Sequence, residues 1–173
     1  MKLESIQRIV KAVDPVNAEY ILERGEITKD FMRAARYLAE GDNKLAAFVF
    51  RKTKEKILEF GRFYLTPANI HVGDGVTVNL WSDRYAATVI KVTKSTVTVR
   101  RDKATLNPDF KPEWIPGGFA AHCTNQDEQS YTYEPDEKGT EYTFRWSRKY
   151  QRYGQPGNLT LSKGRHEFYD YNF

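Results

Sequence analysis

The sequence predicts an α+β protein in which a small helical bundle precedes a strongly twisted antiparallel β region, part of it a small barrel. Two observations lead to this fold class. Apolar residues recur every three or four positions over residues 1–65, whereas from residue 68 onward they alternate with polar residues or run in β-branched clusters. Helices have the first period and strands the second. We therefore expect a helical region at 1–65 and an antiparallel β-barrel-like domain at 68–173.

The first predicted helix carries a single apolar stripe. The residues of the stripe are spaced by three and four positions: Leu3, Ile6, Ile9, Val10 and Val13. Asp14 is the predicted N-cap of a second helix that has Pro15 at its first position and Gly25 after its end. Proline suits the first helical turn, and glycine tolerates the left-handed conformation that often follows a helix.

Capping residues also mark two further helices. Thr28 is the predicted N-cap of a third helix that ends at Gly41. Asp42 is the predicted N-cap of a fourth helix, which extends to about Phe60 and stops before Gly61. The second half of this fourth helix, RKTKEK, is basic. It is either a solvated helix face or a patch that contacts phosphate.

Three segments rich in β-branched residues follow the helices: GDGVTVNLW, YAATVIKVT and TVTVRR. Short polar turns separate them, so they predict a three-stranded meander. The Gly-Asp-Gly entry and the short strands over residues 72–104 resemble the opening of a small Src-homology-3-like or Tudor-like barrel.

Two hairpins are predicted nearer the C-terminus. In the first, SYTYE and TEYTFRW flank PDEKG, and in the second, NLTLS and HEFYDYNF flank KGR. The segment NPDFKPEWIPGGF, ahead of the first hairpin, contains three prolines and two adjacent glycines. It predicts a long irregular loop, and loops of this kind often carry function.

One face of the first predicted hairpin is aromatic. Its members alternate along the two strands: Tyr131, Tyr133, Tyr142, Phe144 and Trp146. Such a face is more often a layer of the core than an exposed platform on which bases stack, and both interpretations remain open.

Charge is strongly polarised in the same region. Residues 127–141 contain six acids and one lysine, whereas residues 145–165 contain six cations and no acid. The two parts either neutralise one another or leave the basic part to attract phosphate. A net charge of +4 and a pI of about 9.0 suit a polyanionic partner and argue against a strongly acidic mimic of DNA.

These patterns define a candidate surface for nucleic acid. Two aromatic residues beyond the regular strand, Tyr150 and Tyr153, are predicted to be exposed and to stack on bases. The cations predicted to contact phosphate come from the C-terminal basic part and from the meander: Arg145, Arg148, Lys149, Arg152, Lys163, Arg165, Lys91, Arg100, Arg101 and Lys103.

Catalysis and metal binding have little support in the sequence. Cys123 is the single cysteine, which excludes an internal disulfide framework and a multi-cysteine zinc site and fits a reducing cytoplasm. The three histidines, His71, His122 and His166, have no spacing typical of metal ligands. We expect no catalytic residue, metal or cofactor. A metal-dependent nuclease is the remaining enzymatic alternative.

No apolar run in the sequence has the length of a membrane span, and the N-terminus lacks the pattern of a signal peptide. We therefore expect a cytoplasmic protein that is neither exported nor inserted in a membrane.

The stretch RRDKATLNPDFKPEWIPGGFAAHCTNQDEQSYTYEPDEKG, together with the ending GRHEFYDYNF, resembles a family of small proteins encoded by phages and other bacterial mobile elements. The resemblance covers about residues 72–173. It carries no activity and no catalytic motif. It implies a phage or prophage accessory protein that acts in the bacterial cytoplasm.

The sequence therefore predicts a non-catalytic accessory protein that binds DNA, RNA or a nucleoprotein defence complex, most concretely an inhibitor of the anti-CRISPR type. Two alternatives stand beside it. One is a replication accessory protein that binds DNA or RNA, and the other is a protein–protein interaction module that uses the proline-rich loop and Trp114. The oligomeric state stays open.

Overall fold

A computed structural model describes residues 1–117, 121–155 and 157–173. The chain forms two compact units, Met1–Asn69 and Ile70–Phe173. The first unit is helical, and the second is built on antiparallel strands that include a closed barrel. The predicted fold class, α+β with a small barrel, is confirmed. No helix in the described part of the chain is long and apolar enough to cross a membrane.

The helical unit is described over its full length and contains four α-helices. They are α1 (Leu3–Val13), α2 (Ala18–Glu23), α3 (Glu26–Ala39) and α4 (Asn43–Phe63). The helices share a core of apolar side chains: Ile6, Val10, Ala18, Ile21, Ile27, Phe31, Ile57 and Phe60. The predicted stripe of α1 supplies part of this core, but Leu3, its first member, is 56% exposed.

Two predicted helix starts are wrong, and one is confirmed. Asp14 accepts hydrogen bonds from the backbone and side-chain nitrogens of Asn17, both at 2.9 Å, so it stabilises a turn ahead of α2 instead of capping the helix. Helix α3 begins at Glu26, directly after Gly25 in the left-handed conformation, which leaves Thr28 inside the helix. Asp42 does cap α4, since its carboxylate accepts from the backbone nitrogen of Leu45 at 3.0 Å.

The predicted end of α4 before Gly61 is also wrong, because the helix continues to Phe63. The glycine has a packing role instead. A Cβ at this position would lie 2.5 Å from Oδ2 of Asp14 and 3.2 Å from Nδ2 of Asn17. Only a residue without a side chain lets the Asp14–Asn17 turn approach the helix so closely.

The second unit contains ten strands in its described residues. They are β1 (Gly75–Asn79), β2 (Arg84–Val92), β3 (Thr96–Arg101), β4 (Lys103–Leu106), β5 (Trp114–Ile115), β6 (His122–Cys123), β7 (Tyr131–Glu134), β8 (Glu141–Ser147), β9 (Arg152–Gly154) and β10 (Thr160–Lys163). Six of them close into an antiparallel barrel in the order β1-β10-β9-β8-β3-β2. The predicted meander of β1, β2 and β3 is confirmed.

Alternation along the barrel strands separates an inner from an outer face. Inward-facing residues are almost fully buried: Val76, Val78, Ala87, Val89, Val97, Val99, Phe144, Tyr153 and Leu161. The outer face is polar on β3 and β8. For example, Thr98 and Thr143 are register partners, and their hydroxyl oxygens lie 3.1 Å apart.

Both predicted hairpins are wrong. Strand β7 pairs with β4 in a separate two-stranded sheet, while β8 pairs with β3 and β9 in the barrel. The turn between β7 and β8 is held at the end of β3, where the backbone nitrogen of Arg101 donates to the carbonyl of Thr140 at 2.9 Å. This contact turns the chain from the side sheet into the barrel.

The C-terminal segment does not form the predicted partner strand of β10, which pairs with β1 and β9 instead. Its described bridge joins Phe168 to Arg84. The predicted irregular loop contains the short strand β5, which pairs with β6. Gly118 and Phe119, the last two residues of that loop, lie outside the described residues.

Candidate nucleic-acid interface

The basic and aromatic segment predicted as a binding surface forms the tight connection between β8 and β9. Arg145 is the register partner of Gly154, and Ser147 is the partner of Arg152. Ser147 Oγ accepts a hydrogen bond from the backbone nitrogen of Tyr150 at 3.3 Å. Gln151 has a left-handed backbone with φ of 47° and reverses the chain into β9. This short turn brings the charges of both strands together.

The aromatic residues of this segment divide between the inner and outer faces. Phe144 is fully buried, which agrees with the core interpretation of the aromatic face. Trp146 meets Tyr153 across the two strands, with ring centroids 5.1 Å apart at 65°. Tyr153 is only 1% exposed, so the prediction that it is exposed for stacking on bases is wrong. Its alternation with Arg152 places it inside the barrel.

The predicted single face of five aromatics does not form. Tyr131 and Tyr133 lie on β7, which pairs with β4, and the other three residues lie on β8 of the barrel. The hydroxyl of Tyr131 donates to Oε1 of Gln129 at 2.7 Å. Burial raises the pKa of this phenol to about 12.

Tyr150 is 60% exposed, which confirms its predicted exposure. Two cations lie beside its ring. Nζ of Lys149 is 5.1 Å from the ring centroid, and Cζ of Arg152 is 5.6 Å from it. An aromatic face flanked by cations can stack on a base while the cations contact phosphate.

A cleft of about 470 Å³ opens beside this turn. Arg145, Tyr150 and Arg152 contribute to its wall, together with the apolar surfaces of Trp146 and Leu159. We call the four residues Arg145, Lys149, Tyr150 and Arg152 the β8–β9 surface. Sequence reasoning missed the cleft, because its walls form where β9 pairs with both β8 and β10, and the predicted hairpin gave β10 a different partner.

Two of the predicted phosphate contacts are instead held by buried carboxylates. Nε of Arg165 lies 2.7 Å from Oδ2 of Asp102, whose side chain is 1% exposed. The guanidinium of Arg101 lies 2.9 Å from Oε1 of Glu167 and stacks on the ring of Tyr85, with Cζ 3.7 Å from the centroid. These arginines stabilise the barrel unit, which argues against a role as exposed phosphate contacts.

The acidic segment 127–141 pairs with the basic stretch of the meander. The guanidinium of Arg100 lies 2.8 Å from Glu141, and the amine of Lys103 lies 3.7 Å from Glu134. Both pairs are solvent-exposed to a large extent, so each contributes only about 0 to 1 kcal/mol to stability. The predicted self-neutralisation therefore occurs, but with cations outside the β8–β9 surface.

The cations of the β8–β9 surface have a different environment. Within residues 1–117, 121–155 and 157–173, no carboxylate lies within 4.0 Å of Arg145, Lys149 or Arg152. Lys91 has no such partner in this part of the chain either, and it lies on the outer face as the register partner of Thr98. The positive charge of these four residues is therefore not neutralised by a carboxylate within 4.0 Å in the described part of the chain.

The last two predicted cations lie at the edges of this region. Arg148 is exposed in the turn between β8 and β9, and Lys163 is exposed at the end of β10. The alternative basic patch on α4 is largely neutralised within the helical unit. There, Lys56 contacts Asp30 at 2.7 Å and Glu26 at 3.0 Å, and Lys52 contacts Glu55 at 2.7 Å.

The described residues contain no group of three or more histidine, cysteine or acidic side chains placed to hold a metal ion. His122 is exposed and Cys123 is buried, as expected for neighbours on a strand. The backbone nitrogen of Cys123 donates to Oδ1 of Asn172 at 2.7 Å, and the side-chain amide of Asn172 donates back to its carbonyl at 3.0 Å. These contacts hold the backbone of Cys123 against Asn172.

Comparison with known proteins finds no matching family model, no matching curated protein and no matching solved structure. The resemblance of residues 72–173 to phage and mobile-element proteins stays a prediction.

Proposed function

We propose that the β-barrel unit is a non-catalytic nucleic-acid-binding module whose contact surface is the β8–β9 surface. The observation that carries this proposal is a group of three cations without a carboxylate partner among the described residues. Lys149 and Arg152 lie beside the exposed ring of Tyr150, and Arg145 lines the same cleft as that ring. Cations that neutralise phosphates release condensed counterions, which favours binding. Stacking of a base on an aromatic ring adds about 1 to 3 kcal/mol.

The distribution of acids supports the same surface. Acidic side chains lie next to Arg100, Arg101, Lys103 and Arg165, and they would repel a phosphate backbone there. A polyanion that approaches the barrel unit meets less repulsion at the β8–β9 surface. The electrostatic asymmetry therefore orients the ligand.

The wider role follows from the resemblance described above. We propose an accessory protein of phage or mobile-element origin that acts on nucleic acid in the bacterial cytoplasm. Within that role, inhibition of a CRISPR-type nuclease would use the β8–β9 surface to hold DNA or guide RNA, or to contact a nucleoprotein complex. Cleavage assays with a guide-loaded nuclease test this role. The wild-type protein should lower the rate of DNA cleavage, and the triple variant Arg145→Gln, Lys149→Gln, Arg152→Gln should lower it less.

A second candidate is a protein-binding module centred on β5. Trp114 is 47% exposed and Ile115 is 53% exposed, and large exposed apolar side chains are common in protein interfaces. The ring of Trp114 packs edge-on against Tyr171, with centroids 5.8 Å apart, so its orientation is fixed.

Binding of fluorescently labelled oligonucleotides tests the leading proposal. The wild-type protein should bind, and the triple variant Arg145→Gln, Lys149→Gln, Arg152→Gln should bind at least about tenfold more weakly, as the loss of several phosphate contacts implies. The matched control, Lys11→Gln, Lys44→Gln, Lys54→Gln, removes the same charge from the helical unit and should bind like the wild type. Equal weakening in both variants would reject the β8–β9 surface as the site.

A further inference from the structure

We infer that the β8–β9 surface selects unpaired nucleotides, one of whose bases enters the cleft beside Tyr150. This inference rests on the proposed function and specifies its ligand class. The basis is the combination, in one place, of phosphate-binding cations with a cleft that has both apolar and amide-bearing walls.

The size of the cleft suits a nucleotide. Its volume of about 470 Å³ falls within the range of roughly 300 to 1,000 Å³ typical of sites for small organic ligands. A base in a duplex is stacked and paired, so it must leave the helix before it can enter such a pocket, at a cost in free energy. A single strand has no pairing to lose.

The walls of the cleft match the parts of a nucleotide. Trp146 and Leu159 supply apolar surface for the plane of a base, and Arg145 and Arg152 supply positive charge for the phosphates on either side. Tyr150, at 60% exposure, offers a second aromatic surface for the adjoining base. Side-chain stacking of this kind is tolerant of sequence, because every base has a flat face.

Two amides on the same wall can bond to base edges. Gln155 and Asn158 both line the cleft, and no other described residue forms a hydrogen bond with either side-chain amide. The backbone nitrogen of Gln155 donates to the carbonyl of Leu159 at 3.1 Å, which holds the segment in place. Asn158 has a left-handed backbone with φ of 63°, a conformation that asparagine tolerates. Each amide presents both a donor and an acceptor.

Anisotropy titrations with four probes of equal length test the inference: single-stranded DNA, single-stranded RNA, duplex DNA, and a strand with abasic sites at every other position. We expect single-stranded DNA and single-stranded RNA to bind at least about tenfold more tightly than the duplex and the abasic strand. Neither of the latter two can stack a full set of bases on the aromatic side chains of the protein. Tyr150→Leu and Gln155→Ala should weaken binding of the single strand and leave its salt dependence unchanged. Tyr169→Leu removes a comparably exposed tyrosine elsewhere and should have no effect.

The outcomes separate this inference from the proposed function. If duplex and single strand bind equally and the Arg145→Gln, Lys149→Gln, Arg152→Gln variant weakens both, nucleic-acid binding stands and the selection of unpaired bases is rejected. The same holds if Tyr150→Leu binds the single strand like the wild type. If no probe binds, both the proposed function and the inference are rejected.

Discussion

Two groups of cations in the β-barrel unit have similar sequence character and opposite surroundings. Arg100, Arg101, Lys103 and Arg165 each lie within 4.0 Å of a carboxylate. We call these four residues the paired group. Arg145, Lys149 and Arg152 on the β8–β9 surface have no carboxylate within that distance in the described part of the chain. Both groups combine several basic residues within a short stretch with nearby aromatics, the pattern that marks a nucleic-acid footprint in a sequence.

The difference shows that local basic composition does not by itself identify a binding surface. Asp102 and Glu167 are almost fully buried, and each needs a cation to compensate its lost hydration. Arg165 and Arg101 meet that need and are thereby fixed. The cations of the β8–β9 surface have no buried carboxylate to compensate in the described part of the chain. We therefore expect substitutions that break the buried pairs of Asp102 and Glu167 to act mainly on stability, and substitutions in the β8–β9 surface to act on binding.

The largest expected effect is on stability, from Asp102→Asn. Its carboxylate accepts from the hydroxyl of Thr88 at 2.6 Å and from Nε of Arg165 at 2.7 Å. Loss of a partner in a buried ion pair costs about 3 to 5 kcal/mol, and the partial exposure of Arg165 reduces this to about 2 to 3 kcal/mol here. Chemical denaturation measures this change in the free energy of unfolding. The exposed Glu137→Gln is the control, with a change below about 0.5 kcal/mol. Equal effects of the two substitutions on the free energy of unfolding would contradict the stabilising role of the Asp102–Arg165 pair.

The second expected effect is a separation of binding from stability in the triple variant Arg145→Gln, Lys149→Gln, Arg152→Gln. Its free energy of unfolding should stay within about 1 kcal/mol of the wild type, because exposed charges that have no carboxylate partner contribute little to the folded state. Thermal and chemical unfolding check this. A variant that unfolds several kcal/mol more easily would show that these cations have a structural role and would remove the contrast with the paired group.

A smaller effect is expected for the exposed pair of Arg100 and Glu141. Their side chains are 30% and 50% exposed, and their closest atoms are 2.8 Å apart. A double-mutant cycle with Arg100→Gln and Glu141→Gln should give a coupling free energy of about 0 to 1 kcal/mol. Oligonucleotide affinity should not change in Arg100→Gln. A marked loss of affinity would place Arg100 in the binding surface after all.

The last prediction concerns pH. Burial, and to a lesser extent the nearby charges of Tyr171 and Glu167, raise the pKa of Tyr131 to about 12 from an ordinary value of 10.0. Between these two values the phenol of Tyr131 keeps its proton in the folded protein and loses it in the unfolded chain. The contribution to stability is complete below pH of about 10 and declines as the pH rises toward 12. Unfolding of wild type and Tyr131→Phe, followed over this range, should show a steeper loss in the wild type; parallel curves would contradict the assignment.

The parts of the fold that depend on neighbouring residues could be predicted from the sequence. The α1 stripe, the Asp42 cap and the β1–β3 meander each rest on spacings of a few residues. Strand pairing across longer distances could not. Because β7 and β8 follow one another in the sequence, a hairpin was the favoured prediction. The alternation within each strand gives no information on which strand it pairs with, and β7 pairs with β4.

The same limit applies to the candidate site. Tyr150 and its adjacent cations could be identified because they follow one another in the chain. The carboxylates that bind Arg165 and Arg101 are 63 and 66 residues away in sequence. The sequence therefore could not show which cations have a carboxylate partner. Tyr153 was placed on the wrong face because the turn at Gln151 sets the phase of β9, and a left-handed glutamine has no clear sequence signal.

The salt dependence of oligonucleotide binding tests the central claim most directly, because its slope counts the phosphates that are neutralised. For a single strand each contact contributes about 0.7 to the slope of log K against log salt concentration. The triple variant of the β8–β9 surface should therefore lower the slope by about 2. Arg100→Gln with Lys103→Gln, from the paired group, should leave it unchanged. An unchanged slope in the triple variant, or an equal decrease in the paired-group variant, would contradict the account.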